Sequence, residues 1–123
     1  MNQTRPKNLN LFTIHFPLPA IVSILHRVSG AFLFLLIPLM IWALDISLTD
    51  TGFDSLQQWL GTFYIKFIIW LILIPLCFHL VAGVRHLLSD IHIGDTLKAG
   101  RIASVLTFII SALLVILAGI WLW

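Results

Sequence analysis

Three long, almost uninterrupted apolar stretches, roughly 21–46, 63–88 and 102–123, leave this chain few ways to fold. Each is long enough for the ~20 helical residues that cross ~30 Å of hydrocarbon. Backbone N–H and C=O groups find no water there, so only helices and closed barrels can span. Barrel strands alternate apolar and polar residues, whereas these stretches are continuous, which predicts three transmembrane α-helices and an all-α membrane protein. Composition agrees: 60% of the 123 residues are hydrophobic and 10% charged, too few polar groups to cover a water-facing surface. No Gly- or Pro-rich linker or low-complexity tract divides the chain, so residues 1–123 are expected to form one domain.

Charge predicts direction. Arg5, Lys7 and Arg27 flank the start of the first span, Asp45, Asp50 and Asp54 follow it with no basic residue before Lys66, and Arg85, Lys98 and Arg101 surround the second loop. Under the positive-inside rule, segment 1–20 and the second loop are cytoplasmic, and the first loop and C-terminus lie outside. Trp42, Trp59, Trp70, Trp121 and Trp123 fall near or beyond the outer ends of the spans, where an aromatic belt belongs. The first twenty residues lack the compact apolar core and small-residue cleavage site of a removed signal peptide. There is no inverted pair of broken hydrophobic segments, which argues against a secondary transporter. Net charge is +2 with the basic residues dispersed, so no nucleic-acid footprint is present. The single cysteine, Cys77, can form neither an internal disulfide nor a zinc or iron–sulfur site by itself.

Against this background, polar residues in the spans call for partners, because burying them in hydrocarbon is costly. In "SILHRVSG", a helix would place Ser23, His26, Arg27 and Gly30 at i, i+3, i+4 and i+7, on one stripe. That stripe offers a hydroxyl, an imidazole, a fixed cation and room for close approach, which suits an anionic or redox-active guest near the interface. The alternative is an Arg27 that snorkels to headgroups beside an interfacial His26. In "CFHLVAGVRHLLSD", His79 lies deep in the second span, with Gly83 and His86 on the same helical face. An imidazole for iron, a small residue beneath a macrocycle and basic groups nearer the surface would serve a haem. The alternative is a His79 hydrogen-bonded across helices, with Gly83 serving close packing. His79 and His86 are about 10 Å apart along one helix and cannot flank one iron. His26 and His92 are expected near the interface, which leaves His79 as the imidazole at mid-depth, and the third span has no histidine. A second axial ligand is therefore expected from another membrane chain.

The segments "RPKNLNL", "FPLPAI", "SILHRVSG" and "HLVAGVRHLLSD", with the three-span layout, resemble the cytochrome b556 membrane anchors of bacterial succinate dehydrogenase over nearly the whole chain. The resemblance implies a subunit of succinate:quinone oxidoreductase in the bacterial inner membrane. A flavoprotein subunit and an iron–sulfur subunit would deliver electrons, and a second membrane anchor would share haem b and the ubiquinone-reduction site. It implies His79 as axial haem ligand and Ser23 and Arg27 as quinone-site residues, with Asp90 beside the arginine. It also implies His26, Arg85 and His86 on the propionate side. The chain alone would not oxidise succinate, since it has neither a dinucleotide-binding glycine fingerprint nor a cysteine cluster. Two rivals remain: a fumarate reductase anchor, and a purely structural anchor or small transport subunit without haem.

Overall fold

The structure, a computed structural model, describes Asn10 and residues 12–123. Apart from Asn10, the "RPKNLNL" segment with Arg5 and Lys7 lies outside the described residues. Four helices follow in order: α1 (Leu18–Ser47), α2 (Asp50–Leu60), α3 (Phe63–Asp90) and α4 (Leu97–Leu122). The three long ones each contain one predicted span and are long and apolar enough to cross a membrane.

Local chemistry sets the helix ends. Pro17 stands at the N-cap of α1 with extended backbone, and Pro19 occupies the first turn, where its missing N–H has no helical partner to lose. Thr49 caps α2 by accepting from the Gly52 N–H at 3.2 Å, and Thr96 caps α4 by accepting from the Ala99 N–H at 3.1 Å. Between α3 and α4 the chain reverses through left-handed backbone at His92 (φ 63°) and Gly94 (φ 83°). The His92 Nδ1–Asp95 Oδ2 pair at 2.7 Å ties that reversal together. α4 starts at Leu97, so Lys98 and Arg101 are helical rather than in a loop.

α2 is not foreseen by the hydropathy pattern, which reads its region as a loop. It is amphipathic, and it folds back so that Leu56 and Trp59 meet Trp42 and Ile46 near the end of α1.

The packing is inverted relative to a water-soluble bundle. Among the described residues the buried ones are two small or medium apolar ones, Val22 and Ala82, and four hydroxyl-bearing ones, Ser29, Ser104, Thr107 and Ser111, while large side chains such as Leu35 and Ile120 point outward. Lipid solvates leucine as well as protein does, so membrane helices associate through small residues and close backbone approach. On α4 the hydroxyls are satisfied within their own helix: Ser104 donates to Gly100 O at 2.7 Å, Thr107 to Ala103 O at 2.8 Å and Ser111 to Thr107 O at 2.6 Å. α3 is the central element, packed on both α1 and α4.

Antiparallel order brings the tryptophans to the end where α1 finishes and α3 begins. There Trp70 donates its Nε1–H to the Val115 carbonyl of α4 at 3.0 Å, and its ring meets that of Trp123 edge-on. Gly119 makes room, since a Cβ there would lie 3.0 Å from Trp70 Nε1. Below this cluster an apolar groove of about 850 Å³ opens between α1, α3 and α4, lined among others by Phe32, Ile74, Phe78 and Phe108. Trp70→Phe, which keeps a ring but deletes the donor, is expected to destabilise the protein in detergent by about 0.6 kcal/mol, and at most ~1.7, the range for interhelical hydrogen bonds in membranes. Thermal unfolding of wild type and variant side by side checks this.

Candidate functional site

The site lies where the first half of α1 crosses the second half of α3. His26 is eight residues into α1, and His79 is eleven residues before the end of α3. At 1.5 Å per residue these are about 12 and 16 Å from neighbouring ends of two antiparallel helices, so the two imidazoles stand at similar depth. Their rings stack at 4.2 Å between centroids with 14° between planes, and His86 approaches His26 at 5.0 Å, tilted. This corrects the expectation that His79 stands alone at its depth: the way the two antiparallel helices are offset along their axes brings His26 level with it.

Two glycines permit the stacking, one on each helix. A Cβ at Gly30 would lie 2.9 Å from His79 Cε1, and one at Gly83 would lie 3.3 Å from His26 Nε2. Each glycine thus receives the other helix's imidazole. Gly83 serves His26 rather than clearing space beneath His79.

His79 is held through one nitrogen. Its Nδ1 lies 3.1 Å from the His26 carbonyl oxygen and 3.1 Å from Ser29 Oγ. Ser29 in turn donates to the same carbonyl at 2.8 Å. A carbonyl can only accept, so Nδ1 carries the proton and Nε2 keeps its lone pair. Among the described residues Nε2 has no hydrogen-bond partner. The cross-helix bond expected of a packing histidine is therefore present, and it leaves free the nitrogen that a metal would need. Ser29, 6% exposed, is absent from the sequence-based site although it stands inside "SILHRVSG".

The remaining candidates fall around this cluster. The α3-facing line of α1 is Val22, His26, Ser29 and Gly30, while Ser23 is half-buried and Arg27 exposed on its flank. Neither Ser23 nor Arg27 has a side-chain hydrogen bond or ion pair among the described residues, and exposed Asp90 forms no ion pair with Arg27. Arg27, Arg85 and Asp90 all act electrostatically on His86. Arg85 follows a different course from its neighbour: about 100° around the helix, it lines a groove of about 270 Å³ between α3 and α4. Its Nε is buried there without a hydrogen-bond partner.

The donor set fits a haem iron in one respect and restricts it in another. An imidazole with Nδ1–H on a backbone carbonyl is the usual form of a metal-ligating histidine. Yet stacked, nearly parallel rings cannot present their nitrogens to one iron from opposite sides, so His26 is not the second axial ligand of His79 in this arrangement.

Comparison with known proteins places these features in a family context. Residues 1–118 match the model of the family described as succinate dehydrogenase/fumarate reductase transmembrane subunit. The succinate dehydrogenase cytochrome b556 subunit of Coxiella burnetii is 40% identical over 125 residues, covering 100% of this chain and 100% of that protein. The cytochrome b556 subunit of Paracoccus denitrificans is 35% identical over 95 residues, covering 73% and 70% respectively. The cytochrome b560 subunit of Marchantia polymorpha is 42% identical over 99 residues, covering 74% and 71%.

Gly30→Ala is expected to force the His79 ring away from the α1 backbone. Because that ring is held by hydrogen bonds, the misfit should cost about 1–3 kcal/mol, the range for overpacking a close contact. A lowered unfolding midpoint in Gly30→Ala is the measurement, since the change from Gly to Ala in a helix interior would otherwise raise stability.

Proposed function

This chain belongs to the succinate dehydrogenase/fumarate reductase transmembrane subunit family, and on that premise we propose that it is the haem-bearing anchor that helps pass electrons from succinate to quinone. It is a multi-pass membrane protein. In the proposed assembly, seated in a bacterial inner membrane with its N-terminal segment cytoplasmic, a flavoprotein oxidises succinate and an iron–sulfur subunit carries the electrons to the membrane face. A second membrane anchor completes the haem and quinone sites.

The observation that carries this proposal is the His79 imidazole, locked at Nδ1 by a backbone carbonyl and unengaged at Nε2. His79 would bind the iron of haem b, with the opposite ligand supplied by the second anchor. When bound, haem b supplies a one-electron store whose potential follows its ligands and burial. His26 and His86, gathered beside His79, would stand on the propionate side, with the Arg85 guanidinium as a third basic group there. A purely structural anchor needs only the Nδ1 bond between helices and gives no role to the unpaired Nε2.

Ser23 and Arg27 would act on quinone. They are one helical turn apart on the flank of the imidazole cluster, and neither has a side-chain hydrogen bond or ion pair among the described residues. Ubiquinone takes up two electrons and two protons, and negative charge builds on a carbonyl oxygen as it does. The Ser23 hydroxyl would donate to that oxygen and lie on its proton path, while the Arg27 guanidinium would supply fixed positive potential; donors already in place stabilise such charge without reorganisation. Asp90, which shares with Arg27 the surroundings of His86, would sit beside the arginine and temper its field. The full-length relative at 40% identity is named for succinate dehydrogenase, which favours succinate oxidation over the fumarate-reducing direction.

His79→Ala is expected to abolish or strongly reduce the low-spin haem b signal in the reduced-minus-oxidised spectrum of the purified complex. An unchanged spectrum would overturn the assignment. Ser23→Ala and Arg27→Leu are each expected to slow quinone reduction by roughly 10²- to 10³-fold, as removal of one preorganised donor does. Succinate oxidation with a soluble artificial acceptor should persist in both, and near-normal quinone turnover would refute the site.

A further inference from the structure

We infer that Ser29 is a positioning residue for His79, setting the orientation and basicity of its imidazole through Nδ1; this rests on the proposal that His79 binds haem iron. The starting point is the load on one oxygen. The His26 carbonyl lies inside α1 and accepts the helical bond expected from the Gly30 N–H. It also accepts the Ser29 hydroxyl proton at 2.8 Å. A carbonyl oxygen has two lone pairs, and these two donors claim both. The His79 Nδ1–H, 3.1 Å away, is therefore a third donor to a filled acceptor.

Ser29 relieves that crowding. Having given its proton to the carbonyl, its oxygen retains lone pairs and stands at the same 3.1 Å from Nδ1. The imidazole proton is thus shared between a carbonyl and a hydroxyl oxygen that are themselves joined by a hydrogen bond. Reversing the roles fails: a Ser29 hydroxyl donating to a bare Nδ1 would leave that nitrogen's lone pair facing the carbonyl oxygen at 3.1 Å. The arrangement has consequences for the ring. Two acceptors at equal distance restrict rotation about the Cβ–Cγ bond more tightly than one, and acceptors at Nδ1–H make a ligating imidazole more basic at Nε2. A more basic ligand favours the ferric state and so lowers the haem potential.

The site is protected enough for this to hold. Ser29 is 6% exposed, and the space beside Gly30, where a Cβ would lie 2.9 Å from His79 Cε1, is filled by the ring, so neither water nor a shifted ring readily replaces the hydroxyl. Ser29→Ala removes one oxygen from a helix interior and installs a strong helix former, so α1 should persist.

The test uses the assembled complex, with its haem as the probe, in four forms: wild type, Ser29→Ala, Ser29→Thr and His79→Ala. Ser29→Ala is expected to retain haem but to shift its midpoint potential upward and to move the low-spin g values. Ser29→Thr, which restores the hydroxyl, should return both towards wild type; a structural role in helix packing alone predicts no such rescue. Wild-type potential and g values in Ser29→Ala, alongside loss of the haem signal in His79→Ala, would overturn the role of Ser29 and leave the haem proposal standing. A wild-type spectrum in His79→Ala would overturn both. Should Ser29→Ala fail to retain haem, Ser29→Cys, with a weaker acceptor of similar size, is read in its place. A smaller upward shift then supports the inference, and wild-type values refute it.

Discussion

Inside a bilayer the aqueous hydrophobic effect no longer drives helices together, and the architecture of this chain follows from that. Large apolar side chains gain nothing by leaving lipid, so Leu35 and Ile120 face outward, while Ser29, Ser104, Thr107 and Ser111 occupy the interior. What remains to join the helices is close approach and a few polar bonds between them. At one end the bond is Trp70 to the Val115 carbonyl, fitted over Gly119; towards the other it is His79 to the His26 carbonyl, fitted against Gly30. α3 contributes the donor in both cases. It is pinned to α4 near its start and to α1 in its second half, on either side of the helix-interior Pro75, and so carries the imidazole between two fixed attachments.

The attachment to α1 gives the polar cluster its chemical character. A histidine on a loosely packed helix could present either nitrogen, in either tautomer. Here a backbone oxygen, which cannot donate, selects one tautomer and leaves the other nitrogen without a hydrogen-bond partner among the described residues. The neighbouring imidazoles of His26 and His86 are gathered by the same crossing of α1 and α3, and the charges of Arg27, Arg85 and Asp90 act on the cluster from around it. A structural bond and a chemically available atom thus coexist on one ring, although packing and ligation read as alternatives in the sequence.

The three spans were legible because length and continuous apolarity are local properties. α2 was not, since eleven residues of mixed polarity carry no span signal; its signs were Thr49 ahead of Asp50 and the spacing of Phe53, Leu56 and Trp59. The types of residue in the site were legible from "SILHRVSG" and "HLVAGVRHLLSD", but their pairing was not. Pairing depends on how the antiparallel helices are offset along their axes, which is set only when they pack, and that offset puts His26 beside His79. Ser29 went unread because a serine in an apolar helix commonly bonds its own backbone, as it does here; the second contact exists only once α3 is in place. Arg85 shows the converse: adjacent to His86 in the chain, it turns into the groove against α4.

The latch on His79 also divides mutational risk unevenly. One of its two acceptors belongs to the main chain of residue 26, which every amino acid possesses, so no side-chain replacement there deletes the oxygen itself. The imidazole of His26 and the carbonyl of His26 are inherited separately in effect: the first can drift with the needs of its own surroundings while the second persists. Ser29 has no such insurance, because its contribution resides wholly in one hydroxyl. Variation along this stretch of α1 should therefore adjust the imidazole environment by degrees before it releases the ring, a gradual route by which one helix crossing can be tuned without being dismantled.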